Sequence, residues 1–422
     1  MGVNLVIGKE NNPISVKDAK KRILKSIKPI NKTEKVNTED SYNRILAKSI
    51  KAKRTQPAFN TSAMDGYATK KKFLKDLPID LDVLGETKAG DENKFILKKN
   101  QAVRVFTGSF LPEGCDKVIL QENCVSSKDK VLIKKENFEN YIRKKGEDFF
   151  QSDQCLLKSS LMDSGKIAFA GAMNYKTIDV YKKPKVGVIA NGNELFEPGK
   201  KNLEIKQPAS TKPSIMSLIN TWGGEAVDLG IAKDTTYSLK TKIKKGLACD
   251  MIITIGGASV GDYDLVHKSL SEMNFRLNFW KIKMKPGKPL MFGILKNKPM
   301  LGLPGNPVSS MVCAQLFLKQ SIYKLQNYNY IEKIFHLPLG KDLSKNGWRE
   351  SYIRGYMSKN KNNQIIAMPI SNQDSSSLSS YSKANILIIR EPNARKIKKN
   401  SLVKAIIPVS YTHLTLPTKR IV

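Results

Sequence analysis

The segment 185-KVGVIANGNEL-195 is the clearest indication of the fold class, because an apolar run typical of a buried strand ends in Asn191–Gly192. A second run of this kind begins 251-MIITIGGASVGDYD-264. Between the two lie stretches with helical periodicity, 213-PSIMSLINTWGG-224 and 235-TTYSLKTKIKKG-246. Buried strands that alternate with helices predict an α/β domain with a parallel sheet and crossover helices.

The regions on either side of this centre have different patterns. Residues 13–50 predict two helices, the first with Ser15 as its N-cap. Residues 51–145 contain short alternating runs separated by Gly, Pro and Asp, which predicts a β-rich module. Helical signals return at 159–175, and the chain becomes β-like again after about residue 330.

The length of 422 residues indicates about two to four domains. We interpret the last thirteen residues, 410-SYTHLTLPTKRIV-422, as a non-native junction, and a poorly ordered native tail is the alternative. No apolar run approaches membrane-spanning length, and the N-terminus lacks the pattern of a signal peptide. We therefore expect a cytoplasmic protein with no membrane partner.

The composition is strongly basic, with 72 Lys and Arg against 38 Asp and Glu and a net charge of +34. One interpretation is nucleic-acid binding. We favour a general lysine bias, because lysine is abundant in every segment and aromatic residues are not interleaved with the basic clusters. We therefore expect no nucleic-acid partner, and we expect the charge to steer small anionic substrates towards the protein.

Cysteine and histidine are too few and too scattered to form a structural site. The five cysteines show no paired spacing, and the three histidines stand far apart. This pattern argues against a disulfide framework and against a Cys–His zinc site. Any metal would be a hard cation held by carboxylates.

Glycine and acidic residues follow the predicted strands. Asn191–Gly192 and Glu194 follow one strand, while Gly256, Gly257 and Gly261 follow another. Ligands of open α/β sheets bind at such carboxyl ends, and exposed glycine amides can cradle phosphate. Asp262 and Asp264 could hold Mg²⁺ against that phosphate.

Two further segments suit an oxyanion. The stretch 284-MKPGKP-289 places Lys285 and Lys288 on a loop braced by prolines. The stretch 302-GLPGNPVSSMV-312 predicts a strand, a tight turn and a helix with Ser309 near its N-terminus. That terminus attracts anions, and ordinary capping is the alternative.

Three short acidic or polar motifs occur in the N-terminal part of the chain. Asp65 in 62-SAMDGYA-68 could ligate a cation or hold a substrate hydroxyl, and an Asx-turn is the alternative. Thr107 follows a predicted strand, and 146-GED-148 contains two adjacent carboxylates, for which a solvated charge run is the alternative. The residues alone indicate phosphoryl or nucleotidyl chemistry and leave the particular reaction open.

The motifs SAMDGYA, TGSFLPEG, GED, NGNEL, GGASVGDYD, MKPGKP and GLPGNPVSS occur in this order. Together they resemble the molybdopterin molybdenumtransferases and the C-terminal domain of gephyrin, over about residues 13–409. The resemblance implies a multidomain α/β and β fold. Its parts are a discontinuous helical and linker domain (1–50 and 146–180), an inserted β-rich domain (51–145), a molybdopterin-binding three-layer α/β domain (181–329) and a C-terminal β-barrel-like domain (330–409).

The resemblance also implies the reaction and the partners. Family members insert molybdate into adenylylated molybdopterin with release of AMP, and Mg²⁺ is the expected metal. They are homodimers whose active-site cleft uses both subunits, and molybdopterin adenylyltransferase is the expected pathway partner. The mechanism that the resemblance implies rests on positioning of the substrates and on cations that neutralise the charge of the anhydride and of the molybdate.

The matching motifs imply roles residue by residue. The implied catalytic residues are Asp65, Thr107, Asp148, Glu194, Lys285 and Lys288. The implied substrate-binding residues are Gly256, Gly257, Ser259, Gly261, Pro304, Gly305, Asn306, Pro307, Ser309, Arg354 and Ser375. The implied metal ligands are Glu194, Asp262 and Asp264.

The chain departs from the family pattern at two carboxylates. The segment 205-IKQPAST-211 has none where family members often carry Asp, and Asn193 stands where Asp is common. We still expect activity. A gephyrin-like scaffold without catalysis is one alternative. A molybdopterin adenylyltransferase is a weaker one, because that enzyme is usually a single small domain.

Overall fold

The computed structural model describes residues 12–92, 94–200, 205–257 and 269–408. It divides into two compact units. The large unit comprises the described residues within 1–34, 43–45 and 181–422, and the small unit comprises 35–42 and those within 46–180. The division into four domains predicted from the sequence stays a prediction.

The first predicted helix is present and the second is not. Helix α1 (Val16–Ser26) begins as expected, because Ser15 Oγ accepts a hydrogen bond of 3.0 Å from the backbone N–H of Asp18. The prediction of a second helix before residue 50 was wrong. Asn43 has a φ of 59°, a left-handed conformation that interrupts a helix, and residues 33–37 form a strand.

The small unit is built mainly of short strands. In chain order the elements from residue 33 to 181 are β1 (Thr33–Asn37), β2 (Ile50–Lys51), β3 (Thr61–Ser62), β4 (Gly66–Thr69), β5 (Ile79–Thr87), β6 (Gln101–Val105), β7 (Lys117–Leu120), β8 (Cys124–Ser126), β9 (Lys130–Ile133), β10 (Ile142–Arg143), β11 (Gln154–Leu156), α2 (Ser164–Ala172) and β12 (Thr177–Tyr181). Six of them form the sheet β7-β4-β6-β5-β9-β8. Alternate residues of its strands enter two separate apolar clusters, as Tyr67 and Ala68 do in β4, so both faces of the sheet are covered.

The large unit contains the α/β region predicted from the sequence. Its elements up to residue 325 are β13 (Lys185–Asn191), β14 (Leu195–Phe196), β15 (Gln207–Pro208), α3 (Thr211–Thr221), β16 (Glu225–Ala232), α4 (Thr236–Gly246), β17 (Met251–Ile255), β18 (Arg276–Lys281), β19 (Met284–Lys285), β20 (Pro289–Leu295), β21 (Lys298–Leu303), α5 (Pro307–Cys313) and α6 (Lys319–Leu325). A π-helical segment, Ala314–Leu318, joins α5 to α6.

The central sheet has the order β16-β13-β17-β21-β20-β18. Its first four strands are parallel, as predicted, whereas β20 runs antiparallel to both of its neighbours, β21 and β18, so the sheet is mixed. Lys296 and Asn297 both have positive φ, which gives the tight two-residue turn of the β20–β21 hairpin. Apolar residues of α3 and α5 pack on one face and those of α4 on the other, forming three layers. Within the described ranges, no helix is long and apolar enough to cross a bilayer.

The remaining elements form the C-terminal β region that the sequence predicted. They are β22 (Phe335–Pro338), β23 (Glu350–Lys359), β24 (Ile365–Pro369), α7 (Leu378–Ser382), β25 (Ile386–Arg390) and β26 (Leu402–Ile406). The sheet order is β19-β23-β25-β26-β22, and β24 pairs with β23. A bridge between Leu339 and Ala367 brings the chain after β22 to β24, which gives the region its barrel-like character.

Candidate functional site

A cavity of about 540 Å³ lies at the carboxyl ends of β13, β17 and β21, and we call it the strand-end cavity. The parallel pairing of these strands brings their following loops to one edge of the sheet. Eight of the predicted site residues line it: Glu194, Gly256, Gly257, Pro304, Gly305, Asn306, Pro307 and Ser309.

Glycine is required where β13 and β17 end. Gly256 has a φ of 89°, and a Cβ built there would lie 2.6 Å from the carbonyl oxygen of Asn191. The two strand ends therefore approach more closely than any side chain allows. This leaves backbone rather than side chains as the floor of the cavity at this point.

A carboxylate that no sequence motif predicted also lines the cavity. Asp234, which follows β16, accepts a bond of 3.1 Å from Asn191 Nδ2 and one of 2.9 Å from the backbone N–H of Asn193. Asn193 Oδ1 in turn accepts from the backbone N–H of Asp234 at 3.1 Å. The side chains of Asn193 and Asp234 thus each accept a hydrogen bond from the other residue's backbone N–H. The strand end before α4 was the sequence signal for Asp234.

The described part of the cavity fits a hard cation only in part. Glu194 and Asp234 both line the wall, and Mg²⁺ is usually held by one or two carboxylates together with water and substrate phosphate. Within residues 12–92, 94–200, 205–257 and 269–408, no group of three or more His, Cys, Asp or Glu side chains is arranged so that it could hold a metal ion. The predicted residues Ser259, Gly261, Asp262 and Asp264 lie outside the described residues.

A second cavity, of about 640 Å³, adjoins the first and is strongly cationic, and we call it the cationic cavity. The predicted residues Lys285, Lys288 and Ser375 line it, and Asn306 and Ser309 line both cavities. Its wall carries five cationic side chains and a single carboxylate. Such a lining favours an oxyanion.

The cationic side chains are Lys285, Lys288, Lys345, Arg349 and Arg390, and the carboxylate is Asp374. Lys345, Arg349 and Arg390 were not predicted from the sequence, because they match no recognisable motif and lysine and arginine are common throughout the chain.

The residues 372–377, which we call the serine loop, form part of the cationic cavity. Asn306 Nδ2 donates a bond of 3.1 Å to Ser375 Oγ, and the backbone N–H of Val308 donates to Ser375 O at 3.1 Å. The start of α5 is therefore fastened to this loop. Ser309, which is buried, stands at the same helix start.

Arg354 lies behind the serine loop and does not line either cavity. Its side chain is fully buried, and Nη2 donates to the carbonyl oxygens of Asn372 at 3.2 Å and Asp374 at 3.0 Å. Burial lowers the pKa of its guanidinium. These bonds give Arg354 a positioning role toward the serine loop, and the substrate contact expected from the sequence stays a prediction.

In the small unit, Asp65 and Thr107 form one hydrogen-bonded pair. Asp65 Oδ1 accepts from the backbone N–H of Thr107 at 2.7 Å and from its Oγ1 at 2.9 Å. Both bonds lower the pKa of Asp65, and the bond from the backbone N–H has the larger effect. The carboxylate is bonded to a different loop, so the Asx-turn alternative does not describe it.

The loop that carries Asp148 is fastened to the same region of the small unit. The backbone N–H of Asp148 donates to Gln56 O at 3.1 Å, and that of Gly146 donates to Pro57 O at 3.0 Å. The N–H of Ser62 donates to Ser109 O at 3.0 Å. The loops of the three N-terminal motifs are therefore hydrogen-bonded together, and the Asp148 side chain is exposed.

Comparisons with known proteins agree with this arrangement. Residues 14–173 match the MoeA N-terminal region (domain I and II), residues 187–324 match a probable molybdopterin binding domain, and residues 336–407 match the MoeA C-terminal region (domain IV).

Individual relatives match over almost the whole chain. The molybdopterin molybdenumtransferase of Haemophilus influenzae is 31% identical over 397 residues, covering 92% of this chain and 97% of the relative. That of Staphylococcus epidermidis is 29% identical, covering 95% and 97%. The crystal structure of the molybdopterin biosynthesis moeA protein from Pyrococcus horikoshii OT3 superposes with a TM-score of 0.80 at 26% identity, covering 94% of this chain and 100% of that one. The chain therefore belongs to the molybdopterin molybdenumtransferase family.

Proposed function

We propose that the protein is the enzyme that inserts molybdate into adenylylated molybdopterin and releases AMP. The observation that carries this proposal is the pair of adjoining cavities that share Asn306 and Ser309. One is a strand-end cavity with glycine backbone, and the charged side chains in the lining of the other are five cations and a single carboxylate. Two anionic substrates that must react with each other fit such a pair.

The roles of the two cavities follow from their linings. The strand-end cavity would take the pterin phosphate and the nucleotide, with the backbone of Gly256 and Gly257 against the anhydride. Lys285 and Lys288 would hold molybdate in the cationic cavity and neutralise its charge. Water would attack the phosphoric anhydride, so that AMP leaves and the pterin keeps its own phosphate. The two dithiolene thiols would bind the molybdenum, and one molybdate oxygen would depart as water with their two protons.

We also propose that Mg²⁺ serves this reaction, held by Glu194 with Asp262 and Asp264. The bound ion would supply positive charge to the phosphoric anhydride. Glu194 lies in the wall of the strand-end cavity, and Asp234 adds a second carboxylate there. Removal of divalent cations by chelation should abolish AMP release, and Mg²⁺ should restore it.

The remaining roles are proposals from the family. Asp65, Thr107 and Asp148 would act on the substrate within a homodimer whose sites use both subunits. Molybdopterin adenylyltransferase would supply the adenylylated substrate. We place the reaction in the cytoplasm, where the five unpaired cysteines, all among the described residues, would stay reduced.

The test measures AMP release from adenylylated molybdopterin with Mg²⁺, with and without molybdate. The wild-type protein is compared with Asp65→Asn, which keeps an oxygen to accept the two bonds from Thr107 but removes the charge. We expect release that depends on molybdate and that the substitution abolishes. No release from folded wild-type protein would reject the proposal and favour the scaffold alternative.

A further inference from the structure

Three residues on neighbouring strands form one row across the C-terminal sheet. Lys285 of β19 pairs with Ser351 of β23, and Ser351 pairs with Arg390 of β25. Directly paired residues point to the same face of a sheet, with adjacent strands about 4.8 Å apart. Lys285 and Arg390 therefore flank Ser351 on one face, and all three line the cationic cavity.

Arg390 is held rigidly and is only partly satisfied. Its side chain is buried, and Nη2 donates to the carbonyl oxygens of Arg395 at 2.5 Å, Ser344 at 3.4 Å and Ala394 at 3.5 Å. Nη1, by contrast, is buried and has no hydrogen-bond partner among the described residues. A buried cationic donor without a partner is costly, so a ligand that supplies one is stabilised.

The backbone around Arg390 is also fixed. Asn346 Nδ2 donates to the carbonyl oxygens of Arg390 at 3.1 Å, Arg349 at 2.9 Å and Glu391 at 2.7 Å, and Asn346 Oδ1 accepts from Ser351 Oγ at 2.8 Å. One amide side chain thus holds the row and the neighbouring Arg349 in register. The neighbouring carboxylate, Glu391, pairs with Lys404 at 2.8 Å instead of with Arg390.

We propose that Arg390 is a direct ligand of the tetrahedral oxyanion in the cationic cavity, with Nη1 donating to it from the opposite end of the row to Lys285. The anion is identified as molybdate only through the proposed function, whereas its binding can be measured without turnover. A guanidinium fixed by three carbonyls presents its remaining N–H groups in a set direction, which favours a tetrahedral dianion over a halide.

The test is calorimetric titration of molybdate alone into the purified full-length protein. The variants are Arg390→Met and, as a matched control, Arg395→Met, which removes the same charge five residues away from an exposed side chain that does not line the cavity. Loss of a charge-assisted hydrogen bond should weaken binding about 10- to 100-fold in Arg390→Met. Arg395→Met should bind like the wild type.

Equal affinities in the two variants, or no molybdate binding by the wild type, would overturn the assignment. Arg390 also braces the carbonyls of residues 344, 394 and 395, so Arg390→Met is checked for a cooperative thermal transition. If that variant does not fold, the anomalous signal of tungstate in wild-type crystals decides. A tungstate ion with one oxygen at hydrogen-bond distance from Arg390 Nη1 supports the assignment. Tungstate bound elsewhere, or no bound tungstate, refutes it. Molybdate binding without molybdate-dependent AMP release would reject the proposed function alone.

Discussion

Thr107 donates two hydrogen bonds to the same oxygen of Asp65, one from its backbone N–H at 2.7 Å and one from its hydroxyl at 2.9 Å. Both bonds favour the charged form, so they lower the pKa of the carboxyl. Asp65 is therefore ionised down to a lower pH than an ordinary aspartate. A residue proposed for catalysis is held in one charge state and in one orientation.

Thr107→Val should raise the pKa of Asp65 towards its ordinary value, because the hydroxyl bond is lost while the backbone bond remains. A group whose folded pKa is depressed contributes stability above its unfolded pKa, and that contribution is lost as the pH falls through the folded pKa. The Val variant should therefore lose this contribution at a higher pH. Carboxyl ¹³C NMR titration gives the pKa, Thr107→Ser is the control that keeps the hydroxyl, and equal titration curves for both variants would contradict the prediction.

Arg354→Met should destabilise the large unit and loosen the serine loop. It removes the bonds to the carbonyls of Asn372 and Asp374 from a fully buried position, and we expect a loss of about 2–4 kcal/mol in the free energy of unfolding. Hydrogen exchange should accelerate in residues 372–377. Arg349→Met, a cavity-lining change at a less buried arginine, is the comparison. Unchanged exchange in the loop would mean that Arg354 does not position it.

Gly256→Ala and Gly305→Ala form a matched pair in the strand-end cavity. At Gly256 a Cβ would lie 2.6 Å from a backbone oxygen at a φ of 89°, whereas at Gly305 the nearest atom is 3.7 Å away. The first substitution should cost about 1–3 kcal/mol or more of stability, and the second should have little effect. Chemical denaturation of both variants tests this, and equal midpoints would argue against a close approach of β13 and β17.

Lys212→Met should destabilise more than an equivalent change on the surface. Lys212 is buried, and Nζ donates to Glu197 at 2.6 Å and to Asp228 at 2.9 Å. Burial opposes its charge, yet these partners raise its pKa. Its removal leaves two half-exposed carboxylates without a cation, and we expect a loss of about 1–3 kcal/mol.

The control for Lys212 is Lys185→Met, whose pair with Glu225 at 3.4 Å is exposed on both sides. We expect it to change stability by less than about 1 kcal/mol. Urea denaturation at neutral pH compares the two. A larger effect at Lys185 would show that burial does not strengthen the pair at Lys212.

The sequence was sufficient for the parts of the fold that depend on local pattern. The strands that end at Asn191 and Ile255 have continuous apolar runs, and Ser15 has the chemistry of an N-cap. The helix expected before residue 50 failed, because the left-handed backbone at Asn43 outweighs the apolar spacing around it. The antiparallel direction of β20 depends on the turn at Lys296–Asn297, which apolar periodicity does not reveal.

The residues of the candidate site also fall into two groups, those that the local sequence predicts and those that it does not. Motif residues such as Lys285 and Gly256 were identified in advance because their neighbours are unusual, with proline bracing or consecutive glycines. Arg390 has no such neighbours and owes its position to pairing between strands distant in sequence. Asp234 follows a strand end, but no motif marks it, and the pairing of β16 with β13 brings it to the cavity. The motif around Arg354 predicts a position near the site, but only the packed structure shows that its guanidinium donates to carbonyl oxygens.

Asn306 and Ser309 form a partition with one face in each cavity, and the same helix start is tied to Ser375. Any anion that moves this partition alters the free energy of binding on its other side. By thermodynamic reciprocity, molybdate then changes the affinity for the adenylylated pterin by the same factor as the pterin changes the affinity for molybdate. Two substrates that bind in adjoining cavities would thus change each other's affinity through a single turn of helix.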